Sequence, residues 1–431
     1  MQLDNQKAWA SSFQDFWSDF AKCFKREEAR AAAEKYVRGL LAEVERKNCW
    51  GLAEIMQERD PQAMQRLLYQ AQWDADTLCR ILRSKVIARL GYAPGVGVID
   101  ESGFVKRGDK SVGVGRQYCG RVGKVENCQV GVFLGYIAPL GYAFLDRELY
   151  LPKDWCEDAA RRTAAKVPSE VTFATKPELA QNMLARAWAE NIPLQWVVAD
   201  STYGNSPDLR NYIDVQNRYY VMEVPKNFHV RLADDRAAQT VSELVGSLPP
   251  EAWQRMAFGL GEKGLNFYDW AALRVIPTTD EVGEQWLLMR RPLNERNDLT
   301  FYVSNAPVET SLETLAAIAS SRWCVEQLLE EAKGEAGLSD YEVRYHHAWY
   351  RHITLSMVAH TFLTLLRHEE REKKLPTGLA NPERCRTAQA TEYSLADAQT
   401  ACCLPLGVVS VAAKEASGRH PLALWHRFSG P

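Results

Sequence analysis

The chain lacks any apolar run long enough to cross a membrane. The nearest, Ile353–Leu366, is interrupted by Thr, Ser and His. It lacks a secretory pattern as well: Met1-Gln-Leu-Asp-Asn-Gln-Lys7 has no basic stretch followed by an apolar one. Its ten cysteines are scattered, with Cys402 and Cys403 adjacent and no paired C-x-x-C motifs. That excludes a zinc ribbon and disfavours a disulfide framework, so reduced thiols in a cytoplasm are expected. An excess of positive charge is missing too. The formal charge is −3, so a nucleic-acid surface, if there is one, must be local. No repeat or low-complexity block is present. What remains is an ordinary globular composition, 46% hydrophobic and 25% charged, in 431 residues. Such a length accommodates two or three domains and a large core.

Residues 1–90 read as helical. Trp9, Phe13, Trp17 and Phe20 recur at helical spacing, and Arg26–Arg46 is rich in Ala, Leu, Glu and Arg. Short helices follow over Trp50–Glu58 and Pro61–Ala71, then a longer one from Asp74, its expected cap, to Leu90. Arg66, Arg80, Arg83, Lys85 and Arg89 on these helices are candidates for a DNA-facing surface, although scattered arginines more often cover a solvated face.

The pattern changes at Gly91-Tyr-Ala-Pro-Gly95. Val96–Asp100, Cys128–Ile137, Tyr142–Leu151, Leu194–Asp200 and Tyr219–Val224 read as strands, with helices over Lys176–Ala189 and Pro207–Asn217. Strands with interposed helices indicate an α/β core. Residues 226–310 break that rhythm and read as a β-rich insertion. Gly259, Gly261 and Gly264 match Gly-x-Gly-x-x-Gly, but no clean strand precedes them and no helix follows, so a hairpin fits better than a dinucleotide site. Helix returns from Ser311, and His346–Arg367 reads as a long apolar helix closing the core. These changes divide the chain at 1–90, 91–225, 226–310, 311–370 and 371–431.

Two apolar strands, Val96–Asp100 and Leu194–Asp200, end in an aspartate. One such Asp is commonly a turn former or a helix cap. Two of them, at strand ends where α/β sites form, point to chemistry. A third acid joins them in Arg322-Trp-Cys-Val-Glu326-Gln-Leu-Leu-Glu-Glu-Ala-Lys333. At about 100° per residue, Arg322, Glu326 and Lys333 lie within roughly 40° of one another around a helix. Clustered carboxylates repel and need a cation, and hard oxygen ligands select Mg²⁺ or Mn²⁺. Glu101 is read as structural, Asp146 and Glu148 as surface or salt-bridge residues, Glu330 as solvated, and His346, His347 and His352 as packing or capping residues.

At these residues the chain resembles the DDE transposases of bacterial insertion sequences, most closely the insertion-sequence-701 type of the insertion-sequence-four superfamily. Asp100–Gly120 resembles that family's first catalytic block, and Val198-Ala-Asp200-Ser-Thr-Tyr203-Gly its second. The Arg322, Glu326, Lys333 spacing resembles its third. The likeness runs from about Phe20 to Phe362. It implies a ribonuclease-H-like catalytic core interrupted by the β-rich insertion, with a helical N-terminal DNA-binding domain. It also implies a catalytic, metal-binding triad of Asp100, Asp200 and Glu326 holding two Mg²⁺ or Mn²⁺ ions. Arg322, Lys333 and Tyr203 would contact DNA. The partners would be double-stranded DNA, namely terminal inverted repeats and target, and a second copy of the chain. The expected location is the bacterial cytoplasm, with no membrane. The superfamily's tyrosine three positions before the arginine is Ala319 here. Trp253, Trp270 and Trp286 of the insertion are candidates to hold a flipped base, with core packing as the commoner fate. A DNA-binding protein that has lost catalysis and a metal-dependent nuclease without strand transfer are the alternatives.

Overall fold

A computed structural model describes residues 2–232, 237–261, 264–279, 283–294 and 298–374. The expected tail region, 371–431, lies mostly outside them. Five helices come first: α1 (Gln2–Ala21), α2 (Glu27–Leu41), α3 (Cys49–Ile55), α4 (Gln62–Tyr69) and α5 (Ala75–Leu90). Side chains fix their starts. Asn48 accepts from the Trp50 and Gly51 amides, and Asp74 from those of Asp76 and Thr77, each satisfying N–H groups that the helix leaves open. The aromatic stripe of α1 is buried, with Phe13 meeting Phe362 edge-on at 5.3 Å.

The α/β region follows: β1 (Gly95–Val105), β2 (Gly115–Cys119), β3 (Lys124–Ala138), β4 (Gly141–Tyr150), α6 (Lys153–Glu157), α7 (Ala159–Ala164), α8 (Lys176–Ala189), β5 (Leu194–Ala199), α9 (Ser201–Gly204), α10 (Pro207–Val215) and β6 (Tyr219–Val224). Next come β7 (His229–Arg231), β8 (Gln239–Thr240), α11 (Val241–Leu244), β9 (Gln254–Gly261), β10 (Gly264–Pro277), β11 (Gln285–Pro292) and β12 (Thr300–Ser304). The chain returns through α12 (Leu312–Ser320) and α13 (Trp323–Glu335) to α14 (His346–Lys374).

One mixed sheet runs through all of this, in the order β2-β3-β1-β5-β6-β12-β11-β10-β7-β8, with β4 also on β3 and β9 also on β10. β1 is antiparallel to β3 and parallel to β5, and β5 is parallel to β6. Segment 226–310 therefore extends the sheet, because β12 pairs with β6. Gly261 pairs with Gly264, so the glycine motif is a hairpin. Side chains alternate along β1. Asp100 points to the face covered by α13, and Glu101 to the face covered by α8 and α9.

Several readings of the sequence need correction. β1 does not stop at Asp100: pairing with β5 ends at Ile99, but pairing with β3 runs to Val105. β2, whose Gly115-Arg-Gln-Tyr-Cys119 lacks an apolar run, was not anticipated. The last helix continues past Arg367 to Lys374. Arg83 is buried in an ion cluster and is no DNA-facing residue. Asp146, expected to be a surface or salt-bridge acid, does form salt bridges but is fully buried at the centre of that cluster, against Arg186 (2.8 Å), Arg147 (3.2 Å) and Arg83 (3.3 Å). Burial opposes its charge, but the three guanidinium groups outweigh it and hold the carboxyl below its ordinary range. The cluster joins α5, β4 and α8. His352, as expected, is a packing residue, bonded to the Tyr36 hydroxyl and the Gly337 carbonyl.

Candidate active site

The register of the parallel strands brings the two aspartates together. Ile99 pairs with Ala199, and Ala199 with Met222. One residue further on come Asp100 within β1, Asp200 just after β5 and Glu223 within β6, each next to a paired residue. Asp200 doubles as the cap of α9, accepting from the Thr202 amide at 2.9 Å. Asp100 Oδ1 accepts from the Glu101 amide at 2.8 Å.

The third acid arrives on α13, whose first turn begins at Arg322. The Arg322 guanidinium lies between two carboxylates, 3.4 Å from Asp100 Oδ2 and 3.1 Å from Glu326 Oε1. Asp100 is 17% exposed and Glu326 63% exposed, so Arg322 ties an inner acid to an outer one. Lys333 is on the last turn of the same helix, half-buried. Ala319 is buried on α12.

The electrostatics are those of a site short of positive charge. Burial pushes Asp100 up to about 7, with Asp200 and Glu101 adding to the shift and Arg322 opposing it. Burial and the charge of Glu101 also raise Asp200. Burial alone would lower Arg322, but Asp100, Glu326, Glu223 and Asp200 raise it. Among the described residues, no three His, Cys, Asp or Glu side chains converge tightly enough to hold a metal ion. The Arg322 guanidinium is the positive charge that stands between Asp100 and Glu326. The donor set itself fits a divalent ion: hard carboxylate oxygens whose ionisation is strained by burial and by each other.

Glu223 is the residue that sequence reasoning missed. It is half-buried on β6 and raised first by burial, then by Asp200 and Glu326, with Arg322 and Arg290 opposing. The sequence carries only part of the signal, an apolar strand Tyr219–Val224 with one acid, without the register that brings it to the site. Tyr203 stands behind the site. It is fully buried, and its hydroxyl donates to Glu101 at 2.7 Å on the far face of β1, facing a carboxylate inside the protein and not solvent. Lys176 holds the other oxygen of Glu101 at 2.6 Å. Trp270 is fully buried against Tyr302. Trp253 is half-buried under Arg291, and Trp286 donates to the Pro307 carbonyl.

Acids where adjacent central strands end, with another acid on the covering helix, make this an α/β protein with a carboxylate-rich site on its central strands. The family is narrower. Residues 19–259 match the model of the DDE superfamily endonucleases, more than half of the chain, and the chain belongs to that family. Residues 163–362 match the transposase DDE domain. Among curated proteins, the probable transposase for insertion sequence element IS701 from Microchaete diplosiphon is 26% identical over 322 residues, 73% of this chain and 77% of that protein. Among solved structures, the NurA nuclease from Sulfolobus solfataricus aligns over 70% of this chain and 93% of its own, with a TM-score of 0.27 and 9% identity, too distant to bear on fold or function. No described helix is long and apolar enough to cross a membrane.

Proposed function

We propose that this chain is a transposase that binds the terminal inverted repeats of an insertion sequence, hydrolyses a phosphodiester at each end and joins the 3′-hydroxyls to target DNA. The observation that carries the reading is the register of Asp100 beside Asp200, facing Arg322 and Glu326 of α13. Asp100, Asp200 and Glu326 would hold two Mg²⁺ or Mn²⁺ ions. Bound there, such ions neutralise the phosphate and activate the attacking hydroxyl. Arg322 balances Asp100 and Glu326 until a phosphate draws its guanidinium away. Lys333 then holds the DNA strand along α13, a contact that carries affinity more than sequence information. Tyr203 acts through Glu101, bracing α9 and the Asp200 turn against β1.

The arrangement β4-β3-β1-β5-β6, antiparallel through β1 and parallel beyond it, supports a ribonuclease-H-like core. Within it 226–310 is the insertion and 1–90 the DNA-binding helices. Two DNA ends call for two copies of the chain, in a bacterial cytoplasm and on the nucleoid when DNA is bound.

Asp100→Asn, Asp200→Asn and Glu326→Gln should each abolish cleavage of a duplex carrying the element's end while leaving binding to it intact. Any one of the three cutting at the wild-type rate would remove that residue from the site. Cleavage with no joining to a target duplex would reduce the reading to a nuclease.

A further inference from the structure

The β2–β3 hairpin and the loop before it take no part in the carboxylate site, yet they carry a local excess of positive charge. Residues 105–127 hold six Lys or Arg against two Asp or Glu, in a chain whose net charge is −3. They also carry exposed apolar side chains: Tyr118 is 61% exposed and Val125 51%. β2 has no partner strand on its outer edge among the described residues.

Strand parity settles which face these groups occupy. Phe104, on the same face of β1 as Asp100, pairs with Gln129 of β3. Gln129, Asn127 and Val125 then share that face. Arg116 pairs with Asn127 and Tyr118 with Val125, so Arg116 and Tyr118 lie on the face that carries Asp100. Asn127 also donates to the Lys106 and Gly108 carbonyls, at 2.8 Å each, tying the short loop that carries the exposed Arg107 to the hairpin. The loop is fixed further along by Gln129 donating to the Val112 carbonyl and by the Val112 amide donating to the Arg344 carbonyl.

We propose that this face of the hairpin, with Arg116 and Tyr118 and with Arg107 on the adjoining loop, is a track for the phosphate backbone of duplex DNA running away from the carboxylate site. This rests on the function proposed above and extends it to a second surface. Val105 pairs with Cys128, so Arg116 and Tyr118 lie about six and eight residues beyond Asp100 along the sheet. At ~3.3 Å per residue this is about 20 and 26 Å. It corresponds to roughly 6 to 8 base pairs from the reacting phosphate at ~3.4 Å each. Arginines answer phosphates there, and an exposed tyrosine can lie against sugar or base edges. A second copy of the chain is the poorer occupant, because it would bring the same positive surface against its like.

The test uses the full chain in Mg²⁺-free buffer, with two linear duplexes of about 20 base pairs, a length that spans the track. One carries the element's terminal sequence and the other an unrelated sequence. Arg107→Glu with Arg116→Glu should lower affinity at least tenfold and make the slope of log K against log salt shallower by about 1.8, at ~0.9 per phosphate contact. The Arg107→Lys, Arg116→Lys variant should restore both, which a merely structural role would not. Loss on the terminal duplex alone assigns the track to the element's end, loss on the unrelated duplex alone to target DNA, and loss on both to either. Unchanged affinity and slope on both duplexes overturn the proposal. So does an unchanged slope with an altered sedimentation state for Tyr118→Ala, which would make the hairpin a contact between copies. Binding is read without cleavage, so failure here is separable from failure of the catalytic reading, which Asp100→Asn tests on the terminal duplex.

Discussion

Asp100→Asn should make the metal-free protein more stable while removing its activity. Asp100 ionises at 3.8 in an ordinary setting but at about 7 here, because burial penalises the charged form. Its raised value means that the folded state holds a proton the unfolded state has lost. Below pH 3.8 both states are protonated and the side chain contributes no difference. From there to about pH 7 the wild type loses stability as pH rises, and above that the whole penalty is present. Three units at ~1.36 kcal/mol each set a ceiling of about 4 kcal/mol. The carboxylate is 17% exposed and pairs with Arg322 at 3.4 Å. The attraction of that pair is already contained in the net shift, and partial exposure screens the penalty by about 1 kcal/mol. Asn keeps an oxygen for the Glu101 amide, so the net gain above pH 7 should be about 2–3 kcal/mol. With an unfolding entropy of ~2.1 cal/mol/K per residue, that is roughly 2–3 °C in Tm for a chain of this size. Thermal unfolding of both proteins in EDTA, from pH 4 to 8.5, reads it. The curves should converge at the acid end and separate steadily up to pH 7. Added Mg²⁺ should stabilise the wild type more than the variant and narrow the gap. Parallel curves, or a variant less stable at pH 8, would show that Asp100 is not an ionisation strained by burial.

Three further outcomes follow from packing. A Cβ on Gly204 would overlap the Glu223 carbonyl oxygen, so Gly204→Ala must displace the Asp200 turn; it should cost about 1–3 kcal/mol and most of the cleavage activity, and normal cleavage would show that the turn has slack. Asp146→Asn leaves the buried Arg83 and Arg147 and the part-exposed Arg186 short of charge and should lower stability by about 3–5 kcal/mol, read as a fall in the urea midpoint; a shift under 1 kcal/mol would mean that water reaches the cluster. The buried Lys47 ammonium donates to the Leu40 carbonyl at 2.8 Å and the Glu335 carbonyl at 2.6 Å, closing the ends of α2 and α13 together. Lys47→Met should cost about 2–3 kcal/mol and speed hydrogen exchange in the last turn of α13, and unchanged exchange there would refute the tie.

The parts of the site legible in the sequence were those with a local signature. Asp100 and Asp200 follow apolar runs, and Glu326 shares a helical face with two cations. Caps such as Asp74 declared themselves for the same reason. What was hidden depends on partners far along the chain. Glu223 enters the site only through strand register, which an apolar hexapeptide does not encode by itself. That Asp146 is a buried salt-bridge acid and not a surface one was hidden because its three arginines come from α5, β4 and α8. Tyr203 sits within a motif beside Asp200, but its hydroxyl turns to the opposite face of β1, a direction set by tertiary packing. β2 escaped notice because an edge strand is free to carry Arg, Gln and Tyr outward.

The pairing of β12 with β6 bears on how this chain tolerates length change. Excising 226–310 would not trim an appendage. It would strip β6 of a neighbour and leave the Glu223 strand as an open edge, ready to pair with another molecule and aggregate. Tolerance should rise outward along the sheet. The β9–β10 and β7–β8 hairpins can lengthen or shorten at little cost, whereas β11 and β12 must persist as a permanent splint for the strand bearing Glu223.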